Sequence, residues 1–170
     1  VWFLGLAWFL VRRQVPSGWT PRLVAIGVLG GLQGAIGWWM VSSGLTGRMV
    51  DVASYRLATH LTLAFIILAI IAWSIWQLRR EEMALFRARR DRESALVHWG
   101  SVLLALTFFQ IILGALVAGI DAGRGYTDWP LMGGEFLPSE SFGYEPAWSN
   151  FTENPALVQF NHRMIGYLLV

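Results

Sequence analysis

Three apolar runs, at about 23–41, 57–78 and 95–120, contain no Asp, Glu or Arg. A helix needs about 20 apolar residues to cross the hydrocarbon core of a bilayer, so each run predicts a complete transmembrane span. Two further runs are shorter. Residues 1–11 give about half a span, and Ala156–Val170 is still apolar at the last residue. Because the chain opens at Val1 without a Met or a leader, it reads as an internal fragment of a longer protein or an incomplete gene model.

The polar stretches between the runs set an orientation, since loops rich in basic residues stay on the cytoplasmic side. Segment 79–93 carries six Arg, and 12–22 carries Arg12, Arg13 and Arg22, so both are expected to be cytoplasmic. Loop 42–56 has only Arg48, Asp51 and Arg56, and 121–155 has six acidic residues against Arg124 alone. These two belong on the outer face, which is periplasm in a bacterium or intermembrane space in a mitochondrion. Segment 121–155 is too long for a simple turn and is expected to fold over the outer end of the bundle. Trp129, Trp148, Phe136, Phe142 and Phe151 would then lie at headgroup depth.

Composition agrees with this reading: 55% of residues are hydrophobic, ten are Trp and 14% are charged, with a mean hydropathy of +0.50. The absence of Cys excludes a disulfide, a thiolate-held metal and thioether-attached heme. Phosphate-loop, dinucleotide and metalloprotease signatures are absent as well. Gly27, Gly30, Gly31, Gly34 and Gly37, with Gly114 and Ala118 later, have the spacing that lets neighbouring helices approach closely. No nucleic-acid partner is expected.

Chemistry is concentrated in two histidines. His60, in SYRLATHLTLAF, and His162, in ALVQFNHRMIGYLLV, lie at similar depth below the outer face. A ligating residue inside a span is costly, and it usually faces the bundle interior. Neutral imidazoles on bundle helices suit axial ligation of heme iron, whereas a lone buried imidazole can simply bond a backbone carbonyl. Arg56, one turn outward of His60, and Arg163, next to His162, could pair with heme propionates or merely snorkel to the interface. His98 begins its span at the cytoplasmic side and is read as interfacial. Gln33 and Gln110, each followed four residues later by Gly, read as buried amides bonding between helices. Met40, Met132 and Met164 read as packing residues, and Asp121 and Glu153 as solvated carboxylates of the outer loop.

Four blocks, GLQGAIGWWMVSSGL (31–45), VASYRLATHL (52–61), GALVAGIDAGRGYTDWPLMGGEFLP (114–138) and NFTENPALVQFNHRMIGY (150–167), resemble heme A synthases of the mitochondrial and alphaproteobacterial type, a cytochrome oxidase assembly family. The resemblance implies an all-α integral membrane protein of eight helices, arranged as two four-helix bundles each with a His pair near the outer face. Residues 1–78 would end the first, substrate-binding bundle, 79–94 would be an Arg-rich cytoplasmic linker, and 95–170 would begin the second.

On that reading His60 and His162 belong to different bundles, and each is one of a pair of axial ligands to heme iron. The residues alone leave open the alternative that the two clamp a single heme. His60 is expected on the substrate side and His162 on a heme B electron carrier, with Arg56 and Arg163 as cofactor-binding neighbours. The partner histidines and a catalytic Glu would lie outside this chain.

The implied reaction oxidises the C8 methyl of heme O to a formyl group by successive hydroxylations, in the bacterial or mitochondrial inner membrane. The implied partners are heme O, the lipid bilayer, the farnesyltransferase that makes heme O, and cytochrome oxidase assembly factors. A b-type cytochrome that only carries electrons is the rival reading, and a transporter with proton-relaying histidines is a third.

Overall fold

The computed structural model describes residues 1–45 and 52–170, which fold into helices joined by turns. Among the described residues the long elements are α1 (Trp2–Val11), α2 (Thr20–Leu45), α3 (Ser54–Leu78), α4 (Glu82–Arg90) and α5 (Ser94–Gly119), followed by the single turn α6 (Asn150–Glu153) and by α7 (Pro155–Leu169). Helices α2, α3 and α5 are long and apolar enough to cross a membrane. They coincide with the three predicted spans: α2 and α3 begin three residues earlier, α2 ends four later, and α5 is shifted by one residue. Arg48 and Asp51 of the predicted outer loop lie outside the described residues.

The Arg-rich linker is more ordered than its composition suggests, because 82–90 forms a helix. Glu82 occupies its first turn and Arg87, Arg89 and Arg90 its last, the charge order that complements the helix dipole. At the same end of the bundle the guanidinium of Arg80 lies 3.6 Å from the Trp76 ring centre. Arg22 and Arg12 stack on Trp19 and Trp8 at 4.9 and 5.0 Å. Cation–ring contacts of this kind favour a boundary position, where the ring is apolar and the charge is wet.

The best-buried core sits towards the outer ends of α3, α5 and α7. Ala58, Leu113, Ala115, Leu116 and Val158 meet there, together with Ala122 from the turn after α5. Small residues let the α3–α5 seam close: a side chain on Gly119 would bring a Cβ within 2.8 Å of the Ser54 Cα. Elsewhere the helices present large apolar side chains outward, among them Leu68, Trp73, Leu96 and Leu104. That is the surface expected when the surrounding solvent is lipid.

The glycine pattern of α2 needs correction. A Cβ on Gly27 would collide with Trp2 of α1, and one on Gly37 with His60 of α3, whereas Gly30, Gly31 and Gly34 have nothing within 4 Å. Spacing alone cannot tell which side of a helix is occupied, and in this chain α1 and α3 reach only two of the five positions.

Segment 121–155 does fold over the outer end, as expected. Its centre is Met132, 1% exposed, held where Met132 and Glu135 exchange backbone hydrogen bonds of 2.7 and 3.3 Å. Trp129, Trp148, Phe136, Phe142 and Phe151 all remain exposed.

Candidate functional site

His60 is the seventh residue of α3 and His162 the eighth of α7, so at 1.5 Å per residue both imidazoles lie roughly 10 Å below the outer helix ends. What starts α7 is local chemistry. Pro155 occupies the first helical position, where a missing N–H costs nothing. Asn154 caps it by accepting from the Ala156 and Leu157 N–H groups at 3.0 and 3.4 Å.

Each ring is seated on the helix that precedes its own in the bundle, and the two seats are alike. Against α2, the Gln33 Nε2 donates to the His60 carbonyl oxygen at 3.1 Å and lies 3.2 and 3.3 Å from the ring nitrogens Nδ1 and Nε2. Against α5, the Gln110 Nε2 donates to the His162 carbonyl oxygen at 3.0 Å and lies 3.4 Å from its Nε2.

One turn along, Gly37 and Gly114 leave the space the rings fill. A Cβ on either would come within 2.9 Å of the His60 Cε1 and 3.1 Å of the His162 Cε1. Gln33 Oε1, Gln110 Oε1 and His162 Nδ1 are buried without a hydrogen-bond partner among the described residues. The amides predicted to bond between helices do so, and their targets are the two histidines. The imidazoles rest on different helix pairs, α2–α3 and α5–α7.

The arginines lie at the outer level but are engaged by protein. Arg56 donates to the Trp39 carbonyl oxygen at 2.8 Å and stacks 4.6 Å from the Trp39 ring. Arg163 donates to the carbonyl oxygens of Asp128, Pro130 and Leu131 at 3.1–3.3 Å. His98 is exposed and rests edge-on to Trp99. Met132 is core, as expected, while Asp121 and Glu153 are exposed and line an outer cleft of about 650 Å³ together with Arg56, Ser54 and Tyr144.

The outer segment is braced by buried amides that the sequence reading had not singled out. Gln159 accepts from the Tyr126 N–H at 3.2 Å and donates to its carbonyl at 2.7 Å. Asn150 brackets Tyr144 in the same way, at 2.9 and 2.8 Å. Asp128 accepts from the Gly133 and Gly134 N–H groups, which, with the nearby Arg163 charge, hold its carboxyl below the usual carboxylate range. Burial, then the hydrogen bond to Glu140, raises the Tyr126 hydroxyl to about 12. Asn and Gln are common in polar loops, and only their burial here marks them out.

These features define a class: an all-α polytopic membrane protein that seats one imidazole on each of two helix pairs at matched depth. The chain matches the COX15-CtaA family, described as cytochrome oxidase assembly protein, over residues 1–170, and it belongs to that family. It is 65% identical over 170 residues to the heme A synthase of Dinoroseobacter shibae, covering 100% of this chain and 44% of that protein. It is 63% identical over 169 residues to the heme A synthase of Paracoccus denitrificans, covering 99% and 44%. With that of a Ruegeria species the identity is 60% over 171 residues, covering 99% and 45%. The chain therefore spans less than half the length of these relatives. No solved structure matches it.

Proposed function

We propose that the complete protein is a heme A synthase, an oxidoreductase of heme A biosynthesis that converts the C8 methyl of heme O to a formyl group. Its relatives carry that name across nearly this whole chain. The observation that carries the reading is the pair of matched imidazole seats.

The residues fit heme ligation. A neutral imidazole needs an unhindered ring nitrogen. His162 Nδ1 is buried without a partner, and the Gly37 and Gly114 cradles give each ring room at the bundle interior. A bound heme B would supply one-electron chemistry. The residues of this chain orient and exclude: α2 with α3 and α5 with α7 fix the two rings, and the outer segment shields their end of the bundle from water.

His60 serves the heme O side and His162 the heme B side, in two four-helix bundles divided near 79–94. Each histidine shares its iron with a second one on segments beyond this chain. Taking the methyl to the aldehyde is a four-electron oxidation that adds one oxygen atom: two hydroxylations would give a gem-diol, which loses water, and the electrons would leave through the heme B held at His162. Arg56 is the better placed of the two arginines for a propionate, since its Nη2 hydrogens have no partner among the described residues. Arg163 spends both of its Nη2 hydrogens on the outer segment.

The setting is the inner membrane. Heme O synthase and oxidase assembly factors are the expected partners, since the substrate must be handed over within the bilayer.

Extracting hemes from membranes that make the complete protein with a heme O supply, followed by chromatography with mass detection, tests the activity. Heme A or its hydroxylated intermediate is expected. Heme B with unchanged heme O, from a folded protein, would instead indicate a cytochrome that only carries electrons. His162→Ala should lose most of the heme B, and His60→Ala should retain it while losing conversion.

A further inference from the structure

At the arginine-rich end of the bundle, the start of α2, the end of α3 and α4 enclose a second cleft, of about 440 Å³. Arg22, Arg80 and Arg89 line it together with Glu82, Trp19 and Phe86. Three positive charges thus share the cleft with one negative charge. None of the four forms an ion pair, since those among the described residues are Arg90 with Asp91 and Arg124 with Asp121.

The arginines are held ready for an anion. The guanidiniums of Arg80 and Arg22 lie 3.6 and 4.9 Å from the ring centres of Trp76 and Trp19. A stacked guanidinium has its face covered and keeps its edge, where the N–H donors point, for a phosphate or carboxylate. Arg22 spends one donor on Gln77 Oε1 at 3.2 Å, which links the start of α2 to the end of α3. The side chain of Arg89 has no partner among the described residues.

The kind of anion follows from what surrounds the arginines. Helix α4 is amphipathic: Met83 and Phe86 are 61% and 63% exposed, while its last turn carries Arg87, Arg89 and Arg90. A helix of this kind lies in the interface plane, with its apolar side chains below the headgroups and its charges among them. The arginine-rich end is the cytoplasmic end by its positive charge, where acidic phospholipids give the leaflet a negative potential. A soluble phosphate would satisfy the arginines and leave Phe86 uncovered, whereas a phospholipid satisfies the first and covers the second.

We propose that this cleft binds the headgroup phosphate of an acidic phospholipid, with an acyl chain along Phe86. Arg80 and Arg89 hold the phosphate oxygens, Arg22 adds its remaining donors, and Glu82 limits the affinity by like-charge repulsion. The lipid ties α4 to the start of α2 and the end of α3.

The test is native mass spectrometry of the complete protein in mild detergent, titrated with phosphatidylglycerol or with phosphatidylcholine, to measure the affinity for the first lipid bound. Phosphatidylglycerol is expected to bind more tightly. Arg80→Gln and Arg89→Gln should each weaken it about five-fold, the factor for one arginine beside an acidic headgroup, and Glu82→Gln should tighten it. Arg92→Gln removes the same charge from an exposed position outside the cleft and should leave the affinity unchanged. If Arg80→Gln does not fold, Arg89→Gln, which gives up no contact within the described residues, still decides.

Equal affinity for the two lipids would overturn the proposal. So would a loss in Arg92→Gln as large as that in Arg89→Gln, which marks a diffuse attraction to the basic loops. Release of the lipid by inorganic phosphate, the mark of a site for a soluble anion, would overturn it as well.

Discussion

Asn154 is the residue on which the outer segment and α7 both depend, and its loss can be worked through. It is 2% exposed, caps α7 through Oδ1, and donates from Nδ2 to the Glu140 carbonyl at 2.7 Å and to Asn150 Oδ1 at 3.0 Å. Asn154→Ala removes the cap, worth about 1 kcal/mol. It also removes the Nδ2 hydrogen bonds to the Glu140 carbonyl and Asn150 Oδ1, which keep the Gly143 and Tyr144 N–H groups as donors, so the added loss is the net worth of a hydrogen bond, about 1 kcal/mol.

No acceptor is left bare, so the sum is about 2 kcal/mol. That corresponds to roughly a 30-fold larger open population of the segment. Trypsin can cut after Arg124 in this segment, and cleavage tracks the open population when opening is fast. In sealed vesicles exposing the outer face, cleavage of Asn154→Ala should run about 30-fold faster than in the parent, the factor expected from that energy. Asn154→Asp keeps the cap acceptor and loses the donor, so it should fall between. A rate for Asn154→Ala within about twofold of the parent would refute the assignment of the segment's stability to this amide, since that is under about 0.5 kcal/mol.

Glycine substitutions on α2 should separate sharply. Gly30→Ala meets nothing within 4 Å and should leave stability unchanged or raised by up to about 1 kcal/mol through helix propensity. Gly37→Ala drives a Cβ to 2.9 Å from the His60 Cε1 and should cost about 1–3 kcal/mol by overpacking, read by thermal unfolding in detergent, with displacement of the ring read as lost conversion of heme O. The turn at 128–134 should respond to acid. The Asp128 carboxyl lies below its ordinary value in the folded protein, so its contribution is complete above the ordinary carboxylate range and fades as pH falls through the lowered folded value. Protection of the Gly133 and Gly134 amides from hydrogen exchange, corrected for intrinsic rates, should hold down to mildly acid pH and then decline. In Asp128→Asn that decline should be absent.

Hydropathy made the spans legible because a bilayer demands long apolar helices and little else can satisfy it. His60 and His162 were equally visible, since an imidazole is rare inside a span. Even the seats left a trace, as the Gln followed by Gly four residues later in both α2 and α5. Their function as seats for the rings was not readable, because it depends on which helix lies opposite.

Arg163 shows the limit differently. The sequence pairs it with heme propionates or the interface, while its nearest acceptors are three backbone carbonyls of 128–131. Every residue has a carbonyl, so such a partner leaves no mark in the sequence. The glycines of α2 show it again: spacing marks all five alike, and only the position of α1 and α3 distinguishes Gly27 and Gly37 from Gly30, Gly31 and Gly34.

The arginine–tryptophan pairs at the helix ends have a mechanical consequence. Helix α3 has 25 residues and measures about 37 Å at 1.5 Å per residue, against a hydrocarbon slab of about 30 Å. Arg56 on Trp39 at the outer rim and Arg80 on Trp76 at the inner rim act as moorings at two levels. The helix meets a thinner bilayer by leaning, with its ends kept at the headgroups. His60, about one turn below the outer mooring on the same helix, therefore keeps a near-constant distance to the outer surface when the membrane thickens or thins, and the cytoplasmic end travels.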